Sequence, residues 1–287
     1  MKKVLVQLDT DEHPSPFDAI VAHDAGVDVL LSYARVTPEK ARALVQDAFF
    51  TRGVPDLATI AVWVGGSDVP MGEQILAEVQ GAFFGPFRVS AMLDSAGCNT
   101  TAATAIAHLA KAIDVRGRRA VVVGLGPVGL RSATLLAGEG CEVVVTTLPP
   151  DLFAGPPRRP RGLAVAQEVG LTTLELANSG ELETALEGAS IVLTAGPAGV
   201  EVLPHEVWMR NPTLELLADY NAAEPLGIGG VKATDDLVER DGKRVLGALG
   251  IGDPKMRTHK ACIRLLFERN DVILDVDGVY EVAREQV

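Results

Sequence analysis

The chain has 287 residues, a formal net charge of −12 at pH 7 and a hydrophobic fraction of 47%. That hydrophobic fraction excludes a disordered chain, and the negative charge argues against nucleic acids and anionic membranes as partners, because both are themselves negative. We therefore expect one large or two ordinary globular domains that act on a small molecule.

The cysteines and the N-terminal residues favour a cytoplasmic protein. Cys98, Cys141 and Cys262 are widely scattered, with neither CxxC nor zinc-like spacing, so no disulfide framework and no metal site is predicted. Two lysines precede the first apolar run, but this run is shorter than the core of a signal peptide. It is predicted to be a β-strand, and no apolar stretch is long enough to cross a bilayer.

Short apolar runs alternate with segments of helical periodicity, which is typical of parallel sheets covered by helices. In the first third of the chain the pattern predicts helices at residues 38–47, with Thr37 as N-cap, and at residues 71–84. Strands are predicted at residues 4–8, 27–31, 59–64 and 89–93. These elements form a small N-terminal α/β domain, residues 1–103.

Residues 93–112 begin as a polar loop, end as an alanine-rich helix and join this domain to a second one, residues 104–252. The second domain is predicted to be a Rossmann-type doubly wound parallel sheet. Its predicted strands are residues 119–123, 142–146, 172–174, 190–194, 213–218 and 244–249. The proline-rich stretch 149–162 excludes regular structure. Residues 253–287 are predicted to be helices, at 254–267 and 276–285, that bridge the two domains across a cleft.

The segment Gly124-Leu-Gly126-Pro-Val-Gly129 follows a β-branched strand and precedes an alanine- and leucine-rich helix. In that context GxGxxG is a fairly specific signal for dinucleotide binding. Gly124 permits the tight turn, Gly126 lets the backbone approach a pyrophosphate, and Gly129 lets helix and strand pack closely. Pro127 and Val128 then lie at a helix N-terminus whose free N–H groups bind phosphate. A structural glycine turn is the alternative.

The type of dinucleotide depends on the end of the next strand, where a carboxylate about 20 residues further on binds the ribose of NAD. Thr146 and Thr147 stand there instead, and both can donate hydrogen bonds to the 2′-phosphate of NADP. Arg158, Arg159 and Arg161 follow on a loop that could swing over this phosphate. The pattern favours NADP, with NAD or the use of both dinucleotides left open, and an ordinary solvated loop is an equal explanation of the arginines.

Two later strands of the same sheet also end in small residues. Ala195 and Gly196 lie in "LTAGPAGVEVLP", and Gly250 lies in "GALGIGDPK". Small residues at this edge of the sheet let the backbone lie against a ribose or a nicotinamide. Plain tight turns would also explain them.

Two polar clusters follow strands of the first domain, and together they predict a ligand cleft that faces the nucleotide domain. Asp18 and Asn99 could instead be helix N-caps, and Phe17 could belong to the core. The clusters are "DTDEHPSPFD", with Asp9, Ser15, Phe17 and Asp18, and "DSAGCNTT", with Asp94, Asn99, Thr100 and, nearest the cofactor, Thr101.

Five stretches together resemble the NAD(P)-dependent methylene-tetrahydromethanopterin dehydrogenases of bacterial one-carbon metabolism, over essentially the whole chain. They are "DTDEHPSPFD", "FFGPFRVSAMLDSAGCNTTAATA", "GLGPVGLRSATLLAGEG", "ADYNAAEPLGIGG" and "GALGIG" with the lysine and "HKACI" that follow it. The resemblance implies reversible oxidation of methylene-tetrahydromethanopterin to the methenyl cation, with the hydride passing to NADP or NAD. It also implies a pterin bound between two α/β domains and a homo-oligomer, with a trimer favoured.

By this resemblance Lys255 is the catalytic lysine near the reacting pterin, where it binds and orients the substrate unless burial keeps it uncharged. No general base is needed, because the lone pairs of two ring nitrogens expel the hydride and positioning carries most of the rate. His259, four residues later, shares the helical face of Lys255, and a packing histidine is the alternative. The carboxylates would stabilise the growing positive charge or hold the pterin's amino and amide edge. The predicted substrate residues are Asp9, Ser15, Phe17, Asp18, Asp94, Asn99, Thr100, Asn221 and His259.

The chain departs from the family pattern after the second Rossmann strand. Relatives that use NADP typically have Gly-Arg where this chain has Thr146-Thr147, and the proline-rich loop is predicted to replace the following helix. Two further hypotheses are a methylene-tetrahydrofolate dehydrogenase and a non-catalytic dinucleotide-sensing protein. A cyclohydrolase would need a Lys/Tyr pair, and Tyr33 with Lys40 is not at the end of a core strand. The two polar clusters argue against a sensor.

Overall fold

A computed structural model describes residues 1–153 and 162–287. These residues form two compact units. The first comprises residues 1–101 and 254–286, and the second comprises residues 102–253 with Val287. Residues 254–286 therefore belong to the same unit as the N-terminal residues. That they bridge the two domains stays a prediction.

The strands are β1 (Val4–Asp9), β2 (Val29–Tyr33), β3 (Ile60–Gly65), β4 (Ser90–Leu93), β5 (Arg119–Val123), β6 (Glu142–Thr146), β7 (Thr172–Leu174), β8 (Ile191–Thr194), β9 (Leu216–Asp219), β10 (Asp236–Arg240), β11 (Lys243–Leu246) and β12 (Ile273–Leu274). The helices are α1 (Pro16–Asp24), α2 (Pro38–Phe49), α3 (Val69–Gly81), α4 (Cys98–Ala112), α5 (Pro127–Gly138), α6 (Gly162–Glu168), α7 (Glu181–Ala185), α8 (His205–Arg210), α9 (Gly252–Leu265) and α10 (Val276–Gln286). None of these helices is long and apolar enough to span a membrane.

The first unit contains a parallel sheet in the order β12-β4-β3-β1-β2. Its four predicted strands are confirmed, although β2 begins and ends two residues later than predicted. The fifth strand, β12, was missed because it has only two residues and joins the sheet from the far end of the chain. Thr37 accepts a hydrogen bond from the Lys40 N–H at 3.4 Å, so the predicted cap of α2 is confirmed.

The two faces of this sheet differ, because side chains alternate along a strand. One face supplies Val6, Leu8, Val62 and Val64 to an apolar core that also contains residues from α2 and α3. The alternate residues of the same strands are Leu5, Gln7 and Asp9 on β1 and Ala61, Trp63 and Gly65 on β3, all of them buried, and the polar groups lie toward the strand ends. Burying polar groups is unfavourable unless they have partners. The face that carries Gln7 and Asp9, called the polar face below, is therefore a candidate ligand site.

The second unit contains a sheet in the order β10-β11-β9-β8-β5-β6-β7. Every pair is parallel except β10–β11. Without β10 the order is that of a Rossmann fold, as predicted. Its core is formed by apolar side chains of the central strands and by Trp208. Strand β10 was missed because its sequence, DLVER, has little apolar character and is interrupted by Leu237 at a φ of +53°.

The connection from β6 to β7 corrects one prediction. A loop was expected to replace the helix here, but α6 covers Gly162–Glu168. A Cβ on Gly162 would overlap the carbonyl oxygen of Leu125, so the start of α6 packs against the glycine-rich turn. Arg158, Arg159 and Arg161, predicted to contact the cofactor phosphate, lie outside the described residues.

Candidate functional sites

The glycine-rich turn of the second unit has the geometry of a dinucleotide site. Gly124 has a φ of +114°, and a Cβ on it would lie 2.6 Å from the carbonyl oxygen of Ala195. A Cβ on Gly129 would overlap the carbonyl oxygen of Gly124. Both positions therefore require glycine for packing. A Cβ on Gly126 would meet no atom within 4 Å, so the backbone there is open to a ligand.

Helix α5 starts directly after this turn, with Pro127 in its first turn and Gly126 as an N-cap that makes no side-chain hydrogen bond. The helix N-terminus, which includes Val128, therefore has donors free for an anion. The Ala195 N–H donates to Val123, which places Ala195 and Gly196 beside the turn. Strands β5 and β8 are neighbours in the sheet, and the order in which the chain adds strands reverses between them. Rossmann folds bind their dinucleotide at such a point. The described residues thus fit a pyrophosphate.

The end of β6 supplies no free carboxylate. Thr146 and Thr147 are both buried, and the Thr147 hydroxyl accepts a hydrogen bond from the Leu176 N–H at 2.9 Å. The first acid after the strand, Asp151, accepts hydrogen bonds from the backbone N–H and the hydroxyl of Ser179 at 2.9 and 2.6 Å. These bonds hold the pKa of Asp151 below its usual value. Contacts of the two threonines with a 2′-phosphate stay a prediction.

Asn221 was predicted to bind substrate, but it lies in the second unit and is engaged by the loop around it. Its Nδ2 donates to the carbonyl oxygen of Pro225 at 3.2 Å, and its Oδ1 accepts from the Ala223 N–H at 2.9 Å. The neighbouring Asp219 is buried and accepts from the Thr194 hydroxyl at 2.8 Å, and burial raises its pKa. Asn221 therefore orders this loop, and its contact with substrate stays a prediction.

Gly250, predicted to contact the cofactor, is packed against backbone. A Cβ on it would overlap the carbonyl oxygen of Asp235, and its N–H donates to Ala233 at 3.2 Å. Glycine is thus required at position 250 by the hairpin that precedes it, whether or not a ligand binds there.

In the first unit, Asp9 ends β1 and is 0% exposed. Its Oδ1 accepts a hydrogen bond from the Asp11 N–H at 2.8 Å, and its Oδ2 accepts from the Ser15 N–H at 3.0 Å. Asp9 therefore shapes the turn between β1 and α1 and places a carboxyl group at the end of the sheet.

Asp94 follows β4 and is 2% exposed. It accepts from the backbone N–H of Thr100 at 2.9 Å and from its hydroxyl at 2.6 Å, near the start of α4. The hydroxyl of Thr101 donates to the Gly97 carbonyl at 2.6 Å. Asn99 donates to the Leu93 carbonyl at 2.6 Å, so it anchors the strand end. Asp94 therefore lies near the N-terminal, positive end of α4. The sequence places it in the same polar cluster as Asn99, Thr100 and Thr101.

The start of helix α1 brings Ser15 and Asp18 close to Asp9. Ser15 is the N-cap and its hydroxyl accepts from the Asp18 N–H at 3.3 Å, so the alternative of Asp18 as the cap is wrong. A Cβ on Gly65 would lie 3.2 Å from Asp18 Oδ2 and 3.8 Å from Asp9 Oδ2. Phe17 is 50% exposed, so it is not a core residue.

Helix α9 adds Lys255 and His259 to the same unit. A Cβ on Gly97 would lie 3.0 Å from Lys255 Nζ, and Gly97 has a φ of +62°, so this glycine makes room for the ammonium group. His259 is 1% exposed, and its ring packs edge-on against Trp63 at 4.7 Å between centroids. Its Nε2 lies 3.7 Å from Asp94 Oδ2. Burial lowers the pKa of His259, which keeps the ring neutral.

Asp18 is the most perturbed acid of this group. Burial raises the pKa of Asp18 to about 7, with the negative charges of Asp94 and Asp9 acting in the same direction. Lys255 and the Ser15 hydroxyl oppose the shift. Such perturbation within a cluster of polar side chains is typical of a functional site. Among the described residues no group of acidic, histidine or cysteine side chains could hold a metal ion.

Sequence reasoning missed three residues of this site. Trp63 and Gly65 lie inside an apolar strand and read as core, although their position opposite Gln7 and Asp9 in the register puts them on the polar face. Gly97 sits in a stretch of small residues that gives no sign of its contact with Lys255. Only the alternation along β3, set against that of β1, could have pointed to the first two.

The fold and these two sites define a Rossmann-type dinucleotide-binding protein with a separate polar site on a second α/β unit. The family described as "Methylene-tetrahydromethanopterin dehydrogenase, N-terminal" matches residues 16–96, and one described as "Putative NAD(P)-binding" matches residues 111–201.

Two curated relatives extend this similarity to the whole chain. The chain is 45% identical to the bifunctional protein MdtA of Methylorubrum extorquens over 293 residues, which cover 99% of each chain. It is 29% identical over 294 residues to an NAD(P)-dependent methylenetetrahydromethanopterin dehydrogenase of the same organism, covering 99% and 98% of the two chains. The chain therefore belongs to the NAD(P)-dependent methylene-tetrahydromethanopterin dehydrogenase family. It is an oxidoreductase that uses NAD(P).

The fold is also that of a solved structure. The crystal structure of shikimate 5-dehydrogenase from Listeria monocytogenes, in complex with shikimate and NAD, superposes with a TM-score of 0.58. The likeness covers 98% of this chain and 96% of that one at 15% identity. The predicted α/β fold with a Rossmann-type parallel sheet is confirmed.

Proposed function

We propose that the protein catalyses the reversible oxidation of methylene-tetrahydromethanopterin to methenyl-tetrahydromethanopterin by direct hydride transfer, with NADP as the acceptor. One observation supports a reaction whose product is a cation. Three carboxylates, Asp9, Asp18 and Asp94, converge on one buried face of the first sheet, with Lys255 as their ammonium neighbour. Negative charge at this position stabilises a positive charge that develops on the substrate.

The residues of the first unit bind and orient the pterin in this proposal. Phe17 is 50% exposed, which leaves its ring available for stacking, and Asp18 and Lys255 are both partly exposed. A lysine beside a growing cation opposes the reaction by charge alone. Because Lys255 lies among carboxylates, its role is to hold the substrate in place, and the acids supply the stabilising charge.

The glycine-rich turn at 124–129 and the start of α5 would hold the dinucleotide pyrophosphate, and the bound nicotinamide supplies the hydride acceptor. The choice of NADP is supported by the absence of a carboxylate within β6 after Glu142, and by Asp151, whose two oxygens are engaged by Ser179. A free carboxylate there would repel a 2′-phosphate. A homo-trimer and a cytoplasmic location stay predictions.

A direct assay tests this function. Purified protein is mixed with methylene-tetrahydromethanopterin or methylene-tetrahydrofolate and with NAD or NADP, and the absorbance of the reduced nicotinamide is followed. We expect turnover with the methanopterin carrier and NADP. Dinucleotide binding without turnover in any of the four mixtures would refute the enzyme and favour a sensor. Turnover with the folate carrier alone would reassign the substrate.

Lys255→Met gives a sharper version of the same test. We expect kcat/KM to fall by more than about tenfold, which corresponds to about 1.4 kcal/mol of lost transition-state stabilisation. Lys260 lies on the same helix and pairs with Asp24 at 3.0 Å, so Lys260→Met is a matched control that leaves the cluster intact. Equal losses in both variants would show that Lys255 has no special part in the reaction.

A further inference from the structure

Charged side chains from three other elements of the first unit face Asp18. Asp9 approaches from the end of β1, Asp94 from the turn before α4, and Lys255 from α9. Ser15, on the same helix as Asp18, supplies a hydroxyl. If all three acids were ionised, one ammonium would face three carboxylates. That would leave two negative charges in excess, which a proton on one acid or a bound cation would reduce.

Buried polar atoms around the cluster point to a ligand. The indole N–H of Trp63 is fully buried and has no hydrogen-bond acceptor among the described residues. A Cβ on Gly65 would lie 4.0 Å from this nitrogen and still closer to the oxygens of Asp18 and Asp9. Both ring nitrogens of the buried His259 likewise have no hydrogen-bond partner in the described part of the chain. Buried polar groups without a hydrogen-bond partner are unusual in a folded protein and indicate a ligand site here.

We propose that Asp18 exchanges a proton with solvent during turnover, holding it against the neutral methylene-pterin and releasing it when the cationic methenyl-pterin occupies the site. This inference rests on the proposed function and deepens it. The raised pKa of Asp18, about 7, is consistent with a proton held in the free protein. His259 cannot take this role, because burial lowers its pKa.

The charges balance in this sequence. When the C–H bond of the methylene group breaks, its electron pair leaves with the hydride and the carbon skeleton gains one positive charge. Separately, the O–H bond of Asp18 breaks, its electron pair stays on the carboxylate, and the proton goes to water. The net charge of the cluster with its ligand is then the same before and after the reaction. Binding of the cation thus becomes tighter as the pH rises, by up to about tenfold per pH unit below the pKa of the free carboxyl.

Calorimetry of methenyl-tetrahydromethanopterin binding tests the proposal. Titrations at about pH 5.5 and about pH 6.5, in buffers of different ionisation enthalpy, count the protons released per cation bound. We expect close to one proton from the wild type, none from Asp18→Asn, and a wild-type count from Asp47→Asn, which removes an exposed acid on α2. The methylene compound should bind with equal affinity at both pH values.

Binding of the cation by the wild type without proton release overturns the proposal, as does an unchanged release in Asp18→Asn. The wild-type proton count decides the matter even if Asp18→Asn binds no cation. A carboxyl-carbon NMR titration of the free protein, with Asp18→Asn to assign the signal, gives an independent answer. A midpoint at the ordinary aspartate value overturns the inference while leaving the proposed function untouched. If neither pterin binds, the proposed function fails first, and the inference with it.

Discussion

Replacing Asp18 with asparagine should change how the stability of the protein depends on pH. An aspartate in a peptide has a pKa of about 3.9, whereas burial and the charges of Asp94 and Asp9 raise the pKa of Asp18 to about 7. The folded protein then binds this proton more tightly than the unfolded chain. Its stabilising effect is complete below the unfolded pKa and is lost as the pH rises through the folded pKa. Because proton binding is linked to folding, the free energy of unfolding should fall by roughly 2–3 kcal/mol between about pH 5 and about pH 8.

Thermal unfolding of the wild type, Asp18→Asn and Asp47→Asn at these two pH values measures the effect. Asparagine has no proton to lose, so the Tm of Asp18→Asn should increase relative to that of the wild type as the pH rises. For a chain of this size 1 kcal/mol shifts Tm by about 2–4 °C, so the gain should grow by about 5 °C or more. Asp47 is exposed, so its variant should follow the wild type. Parallel Tm curves for wild type and Asp18→Asn would refute a raised pKa at Asp18.

Three further outcomes are expected. Gly126→Ala should leave Tm unchanged, because its Cβ meets no atom within 4 Å, yet weaken NADPH binding by about tenfold or more in a fluorescence titration. Gly129→Ala should unfold the second unit instead, and equal effects of the two changes would contradict the assigned geometry. Thr100→Val removes the hydroxyl that Asp94 accepts at 2.6 Å, so urea unfolding should show a loss of about 1–3 kcal/mol, which Thr100→Ser restores. Burial and the Asp94 charge raise the pKa of the Cys262 thiol, so a thiol reagent at neutral pH should modify it only after unfolding, and rapid labelling of the native protein would show that it is accessible.

The sequence predicted the strands and the nucleotide turn well, because their signals are local. A β-branched run, three spaced glycines and a helix with Pro127 at its start stand next to one another in the chain. The grouping of Asp9 with Asp94 also followed from the sequence. Parallel strands end at one edge of a sheet, so polar residues after β1 and β4 come together wherever the helices lie.

The remaining features depend on contacts between distant residues. Nothing near Asn221 in the sequence indicates that its side chain is held by Pro225 and Ala223. Trp63 reads as an ordinary core residue, because a buried indole looks the same in sequence whether or not its N–H has a partner. The raised pKa of Asp18 likewise arises from burial and from the charge of Asp94, which is 76 positions away in the chain.

The return of residues 254–286 to the first unit sets the order in which the protein can be built on the ribosome. Strand β12 pairs with β4, and α9 carries both Lys255 and His259. While the chain is being synthesised, all the strands of the nucleotide unit leave the ribosome before α9 does. The dinucleotide site can therefore form on the nascent chain, whereas the carboxylates of the first unit must wait for their lysine. A nascent chain that has emerged as far as residue 253 would contain the glycine-rich turn and every strand of the second unit, but neither Lys255 nor His259.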